Sequence, residues 1–166
     1  SDLFLIAREQ AGVLDFRGSP INLNVATAQG IEQMQVLAME KNASMARKLS
    51  SGSLEIEGNS NRIAQLVRIL ISNALTHTTD GVQIEVETKI NGTNAILVVS
   101  DNGPGIPEED RARLFDRYVK AKRSGSGTGL GLAIAKSIVQ AHGGKIFVGE
   151  SPSGGSSFSA RFPLIS

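Results

Sequence analysis

Ile63-Ala64-Gln65-Leu66-Val67-Arg68-Ile69-Leu70-Ile71-Ser72-Asn73-Ala74-Leu75 is the most regular segment of the chain. Ile63, Leu66, Val67, Leu70, Ile71, Ala74 and Leu75 recur at three- and four-residue steps, the spacing that gathers side chains on one face of an α-helix. Asn59 or Ser60 stands where a cap is needed. Two strands are expected immediately afterwards, over residues 82–90 and 95–100. The Asn91-Gly92 pair between them is a hairpin signal, in a connection of two residues or more.

Working upstream, residues 25–41 read as another helix, with Ile31, Met34, Leu37 and Ala38 on one face. Residues 43–58 show a period only at Leu54-Glu55-Ile56-Glu57, the alternation of a strand before Gly58. Gly18, Ser19 and Pro20 mark residues 13–22 as a connection. Residues 1–12 look helical and stop at Gly12.

Working downstream, Pro107 with Glu108, Glu109 and Asp110 reads as a short helix start, where acids suit the positive end of the dipole. Residues 119–128 read as a mobile loop. A helix is expected over residues 129–142, with Leu130, Ala133, Ile134, Ser137, Ile138 and Ala141 sharing a face and Gly143-Gly144 ending it. Strands over 145–149 and 156–163 close the chain. Helices early and hairpin-linked strands late predict an α+β, two-layer α/β sandwich. Its sheet is mixed and mostly antiparallel, with helices on one face.

A chain of 166 residues fits one domain. Its 17 basic and 16 acidic side chains leave a formal charge of +1, so nothing supports a nucleic-acid footprint or a polybasic membrane patch. There is no cysteine, which excludes disulfides and thiolate chemistry, and with two histidines a zinc site is disfavoured. No apolar run reaches the roughly 20 residues that cross a bilayer. Ser1-Asp2-Leu3-Phe4-Leu5-Ile6 reads as the middle of a helix, which leads us to expect a piece of a longer protein.

Two glycine clusters carry the chemistry. Asp101-Asn102-Gly103-Pro104-Gly105 follows the apolar run Ile96-Leu97-Val98-Val99. A carboxylate there can accept a hydrogen bond from the exocyclic amine of adenine, which guanine does not offer at that place. Gly103 and Gly105 allow close approach of backbone to a base. In the second cluster, Gly125 to Gly131, amides without side chains lead into a helix N-terminus, an arrangement suited to phosphate. The P-loop pattern fails, because Gly144-Lys145 is followed by Ile146 and Val139 stands five positions before Gly144. A dinucleotide fingerprint fails as well, since the sixth position from Gly127 is Leu132. Asn73 sits on an otherwise apolar helix, either as a satisfied core amide or as a hard oxygen ligand for magnesium. His77 shares its stripe, as packing or as lining of a nucleotide. His142 reads as a helix-end residue interacting with the dipole.

Taken in order, Asn73-Ala74-Leu75-Thr76-His77-Thr78, then Asp101-x-Gly103-x-Gly105, then Phe115-x-x-Tyr118, then Gly127-Thr128-Gly129-Leu130-Gly131-Leu132 resemble the N box, first glycine box, F box and second glycine box of sensor histidine kinases. The ATP-binding domain of those kinases belongs to the GHKL superfamily and has the Bergerat fold. The resemblance covers about residues 20–164. It implies a catalytic ATP-binding domain over 23–166, a linker over 13–22, and the C-terminal end of a dimerisation and phosphoacceptor hairpin over 1–12. It implies ATP and Mg2+ as cofactors, with Asp101 on adenine, Gly103 and Gly105 beside the base, His77 along the nucleotide and Asn73 on the ion. Lys120, Gly127, Thr128, Gly129, Leu130 and Gly131 would hold phosphate. Phe115 and Tyr118 would anchor the loop in an apolar pocket.

The same resemblance implies transfer of the γ-phosphoryl group to a histidine outside this chain, then relay to the receiver domain of a response regulator. Its partners would be that receiver and its own phosphoacceptor domain, in a homodimer of the full protein. The fragment itself would be monomeric, on the cytoplasmic side of a membrane-bound sensor. Other readings are a nucleotide-binding interaction domain without catalysis (a pseudokinase), a serine kinase of the anti-sigma-factor type, and an ATP-gated module of the chaperone and topoisomerase branch. The chain departs from the pattern at Ile69, four residues before Asn73, where relatives carry Asn or a water-activating Glu. Thr76 replaces a frequent basic residue. Neither His77, followed by Thr78, nor His142, followed by Gly143, matches an acceptor histidine, so the acceptor is expected elsewhere.

Overall fold

The computed structural model of the chain describes residues 18–116 and 130–165. In chain order it holds β1 (Ser19–Asn22), α1 (Leu23–Gln33), α2 (Gln35–Glu40), β2 (Ser44–Lys48), β3 (Glu55–Gly58) and α3 (Ser60–Thr76). There follow β4 (Gln83–Asn91), β5 (Asn94–Asp101), α4 (Glu108–Arg111), α5 (Gly131–Ala141), β6 (Lys145–Glu150) and β7 (Ser156–Pro163).

Five strands pair in the order β2-β4-β5-β7-β6. The β2–β4 pair is parallel and the other three are antiparallel, so the expected mixed, mostly antiparallel sheet is present. Alternation sends Ile84 and Val86, Leu97 and Val99, and Phe158, Ala160 and Phe162 to one buried face. α3 lies over that face between α1 and α5, and its expected stripe from Ile63 to Leu75 is buried. The side chain of Asn59 accepts the N–H of Arg62 at 3.1 Å, which makes it the cap. The β4–β5 connection is two residues long, with Asn91 opposite Asn94 and Gly92 at φ +64°. A glycine with positive φ at the first loop position fits a tight hairpin turn.

Four local expectations change. The single helix over 25–41 is broken at Met34 (φ −103°, ψ 0°) into α1 and α2. Ile31, Met34 and Ala38 are buried, but the break turns Leu37 outward to 49% exposure. The connection over 13–22 ends in strand β1, which pairs antiparallel with β3 through Ile21 and Ile56. Four residues are too few to show a period. β2 was not foreseen because Ser44-Met45-Ala46-Arg47-Lys48 has no β-branched residue. It is an edge strand held in place by its pairing with β4. In α5 the buried set includes Leu132, Ala135 and Val139 beside Ile134, Ser137 and Ile138, while Ala133 and Ala141 are only half-buried. The helix touches α3, β6 and β7, so more than one stripe is covered. The helical reading of 1–12 and the loop reading of 119–128 lie outside the described residues.

Candidate functional site

Asp101 is the last residue of β5, in phase with Ala95, Leu97 and Val99, so the alternation that builds the core delivers a carboxylate to its end. It is 5% exposed and well supplied with donors. Its Oδ1 accepts the N–H of Gly103 at 2.9 Å and that of Ser156 at 3.3 Å. The Ser156 hydroxyl donates to Oδ2 at 3.1 Å. A carboxylate has about four acceptor sites, so one remains for a ligand. The Asp101 carbonyl accepts the hydroxyls of Ser151 at 2.7 Å and Ser153 at 3.3 Å, and the Ser151 oxygen accepts the N–H of Gly155. This serine clamp was missed in the sequence. Ser151-Pro152-Ser153-Gly154-Gly155 reads as an ordinary turn, and nothing in it announces a partner 50 residues away.

Asn73, His77, Thr78, Asp101, Gly105 and Ser156, with Pro104 and Ile106, line one cavity of about 130 Å³. That is several times the space one water needs, enough for a ring-sized ligand. Gly103 lies under Thr78, whose Cγ2 would be 2.4 Å from a Cβ placed there. Gly105 has φ +80°, and a Cβ on it would meet the Gly154 carbonyl oxygen at 3.0 Å. These two glycines let the chain turn back tightly beside Asp101.

Asn73, in the last turn of α3, is 6% exposed and also borders a groove that ends at Gly131. The N–H groups of the first turn of α5 have no partner one turn back within the helix, and Gly131 of that turn lines the same groove as Asn73. Leu130 is buried in the core just before it. Asn73 therefore borders both the Asp101 cavity and the groove that Gly131 lines. Phe115 packs edge-on against Phe158, with ring centres 6.1 Å apart. Tyr118, Lys120, Gly127, Thr128 and Gly129 lie outside the described residues.

His142 caps the far end of α5 and does more than face a dipole. Its Nδ1–H donates to the Ile138 carbonyl at 2.8 Å, and its Nε2 accepts the N–H of Asn59, the cap of α3, at 3.1 Å. The neutral ring thus ties together the two helices that flank the site. Burial holds its pKa below the ordinary histidine value, against the raising effect of the Ile138 bond. Since the unfolded chain takes up a proton first, stability is full above about pH 6.5 and falls as pH drops below it. Thermal melts from pH 7.5 downward should show this slope, and His142→Gln should flatten it. An equal slope in both proteins would refute the link.

A family model described as "Histidine kinase-, DNA gyrase B-, and HSP90-like ATPase" matches residues 58–166, from the end of β3 through β7 and beyond. The chain belongs to this ATPase family. Within the family, it is similar to the alginate biosynthesis sensor protein KinB of Pseudomonas aeruginosa, at 29% identity over 99% of this chain and 28% of that protein. It is 34% identical to the probable sensor histidine kinase TcrY of Mycobacterium tuberculosis, over 98% of this chain and 34% of that one. The chain thus spans about a third of the length of these relatives. Among solved structures, full-length ShkA in complex with AMPPNP superposes with a TM-score of 0.86 at 28% identity, over 99% of this chain and 35% of ShkA. The catalytic domain of histidine kinase ThkA gives 0.79 at 26% identity, over 89% of this chain and 96% of that one. The expected Bergerat-type fold is the fold of these ATPase-family structures.

Proposed function

We propose that the chain is the catalytic ATP-binding part of a sensor histidine kinase. It binds Mg-ATP and passes the γ-phosphoryl group to a histidine outside the chain, from which a receiver-domain aspartate takes it. The observation that carries this reading is the cavity joining Asp101 to Asn73, with the N-terminus of α5 beyond it. Asp101 selects adenine through its remaining acceptor site. Gly103 and Gly105 bring the backbone against the base. The leading amides of α5 receive phosphate oxygens.

No group of three or more His, Cys, Asp or Glu residues able to hold a metal ion occurs among the described residues. Asn73 offers a neutral amide oxygen. Mg2+ suits such a site, since it takes few protein ligands and shares phosphate oxygens and water. When bound, it supplies charge neutralisation at the phosphates. Lys120, Gly127, Thr128 and Gly129 complete the phosphate end, and His77 lines the nucleotide. The partners in this reading are the chain's own phosphoacceptor hairpin in a homodimer and a response-regulator receiver. The place is the cytoplasmic side of a membrane sensor. No described helix is long and apolar enough to cross a membrane.

The test is incubation with γ-labelled Mg-ATP, with and without a separately supplied phosphoacceptor hairpin. Label should pass to the hairpin, and none should stay on the chain in acid-stable form. Nucleotide binding without transfer would favour the pseudokinase reading. Acid-stable label on the chain would favour a serine kinase.

A further inference from the structure

Asp101 is held at both its ends by one short stretch of chain. Its carboxylate accepts from Ser156, from the N–H at 3.3 Å and from the hydroxyl at 3.1 Å. Its main-chain carbonyl accepts from Ser151 at 2.7 Å and from Ser153 at 3.3 Å. The ladder between β5 and β7 ends at Ser100 and Ser157, one residue short of Asp101. Beyond that point the two hydroxyls stand in for a strand partner.

The turn that carries these serines, between β6 and β7, is closed on itself. The Ser151 N–H donates to the Gly155 carbonyl at 2.8 Å, and the Gly154 N–H donates to the Ser151 carbonyl at 2.9 Å. The Ser151 oxygen accepts the N–H of Gly155 at 3.0 Å and lies 3.0 Å from the Ser153 oxygen. Gly155 runs so close to Asp101 that a Cβ on it would overlap the Asp101 carbonyl oxygen and lie 2.6 Å from Oδ1. The turn also meets the far end of the first glycine cluster, since a Cβ on Gly105 would lie 3.0 Å from the Gly154 carbonyl oxygen. Ser151 is 4% exposed and stands behind Asp101, apart from the residues that line the cavity.

We infer that Ser151 is a positioning residue for base recognition. By pinning the Asp101 carbonyl it aims the remaining acceptor site of the carboxylate into the cavity, and so sets the preference for a purine that carries an exocyclic amine. This rests on the nucleotide reading above. Gly103 and Ser156 fix the carboxylate, and Ser151 fixes the turn that leads into Ser156 against the end of β5. Loss of the Ser151 hydroxyl takes a partner from the Asp101 carbonyl and from the Gly155 N–H, both inside a buried contact. The turn then shifts and carries Ser156 with it. A hydrogen bond weakens steeply as its angle bends, so a small rotation of the carboxylate costs most of its bond to the amine.

The experiment titrates the unaltered chain, Ser151→Ala and Ser151→Cys by calorimetry with two Mg-nucleotides. One is ATP, and the other is purine riboside triphosphate, which is ATP without the exocyclic amine. The unaltered chain should prefer ATP by about tenfold or more, the scale of a hydrogen bond to a charged group. Ser151→Ala should lower ATP affinity by about fivefold or more, the scale of one neutral hydrogen bond, and leave the analogue within about twofold. Ser151→Cys is close in shape with a weaker donor and should fall between. Both nucleotides carry the same triphosphate, so a general loss of folding or of phosphate binding moves both affinities equally. An equal loss for both, or an ATP preference kept in full by Ser151→Ala, would overturn the inference. Where Ser151→Ala fails to fold, an undiminished preference in Ser151→Cys does so. An unaltered chain that binds the two nucleotides equally would remove Asp101 from the base, and one that binds neither would remove the nucleotide reading itself. The inference falls with either.

Discussion

Asp101→Asn weakens Mg-ATP binding by at least about tenfold, a loss of roughly 1.5–3 kcal/mol for a hydrogen bond to a charged group. The carboxylate accepts from Gly103, from the Ser156 N–H and from the Ser156 hydroxyl, and has capacity for one more donor. An amide at this place keeps one acceptor oxygen. If that oxygen stays with the Gly103 and Ser156 N–H groups, the NH2 faces the ligand and meets the adenine amine donor to donor. If it turns, the buried backbone donors lose their partner. The exocyclic O6 carbonyl oxygen of guanine can accept from the new NH2, so preference for ATP over GTP should narrow along with the loss of affinity. Calorimetric titration of both nucleotides against both proteins checks this. Equal ATP affinity would remove Asp101 from the base site.

Phe158→Ala lowers stability by about 3–5 kcal/mol, the usual cost of emptying an aromatic position in a core. Phe158 is 2% exposed in β7, with Val99 of β5 and Val148 of β6 as its cross-strand partners. Phe115, in the segment after α4, leans edge-on against it. The loss therefore opens a void on the buried face of the sheet and frees the Phe115 segment after α4. For a domain of this size the melting point should fall on the order of 10 °C. Urea titration should give the same loss with little change in slope. A change below about 1 kcal/mol would mean that this face of the sheet packs differently.

Periodicity made most of this architecture legible. The α3 stripe, the β4–β5 hairpin and strand β7 follow from local spacing, because a side chain's face is set by 3.6 or 2 residues per turn. Asp101 stood out because a carboxylate follows an apolar run and opens a glycine cluster, and Asn73 because it is polar on an otherwise apolar helix. Local spacing does not report where a helix breaks, and Met34 turns Leu37 outward without any proline or glycine to mark the place. Nor does it identify an edge strand such as β2, whose order comes from its neighbour. The serine clamp on Asp101 was invisible for a related reason. Hydrogen bonds between residues 101 and 151–156 leave no periodic trace.

The amino-acid order alone determined which faces are apolar, where most helices and strands run, and that carboxylate, amide and glycines recur in the pattern of one ATPase family. Each of these depends on neighbours within a few positions. Tertiary structure alone decided that Asp101 and Asn73 share a cavity, that His142 ties α5 to α3, and that Ile69 of α3 packs beside Gly131 of α5. These relations join segments tens of residues apart, and only the packing of helices on the sheet brings them within reach.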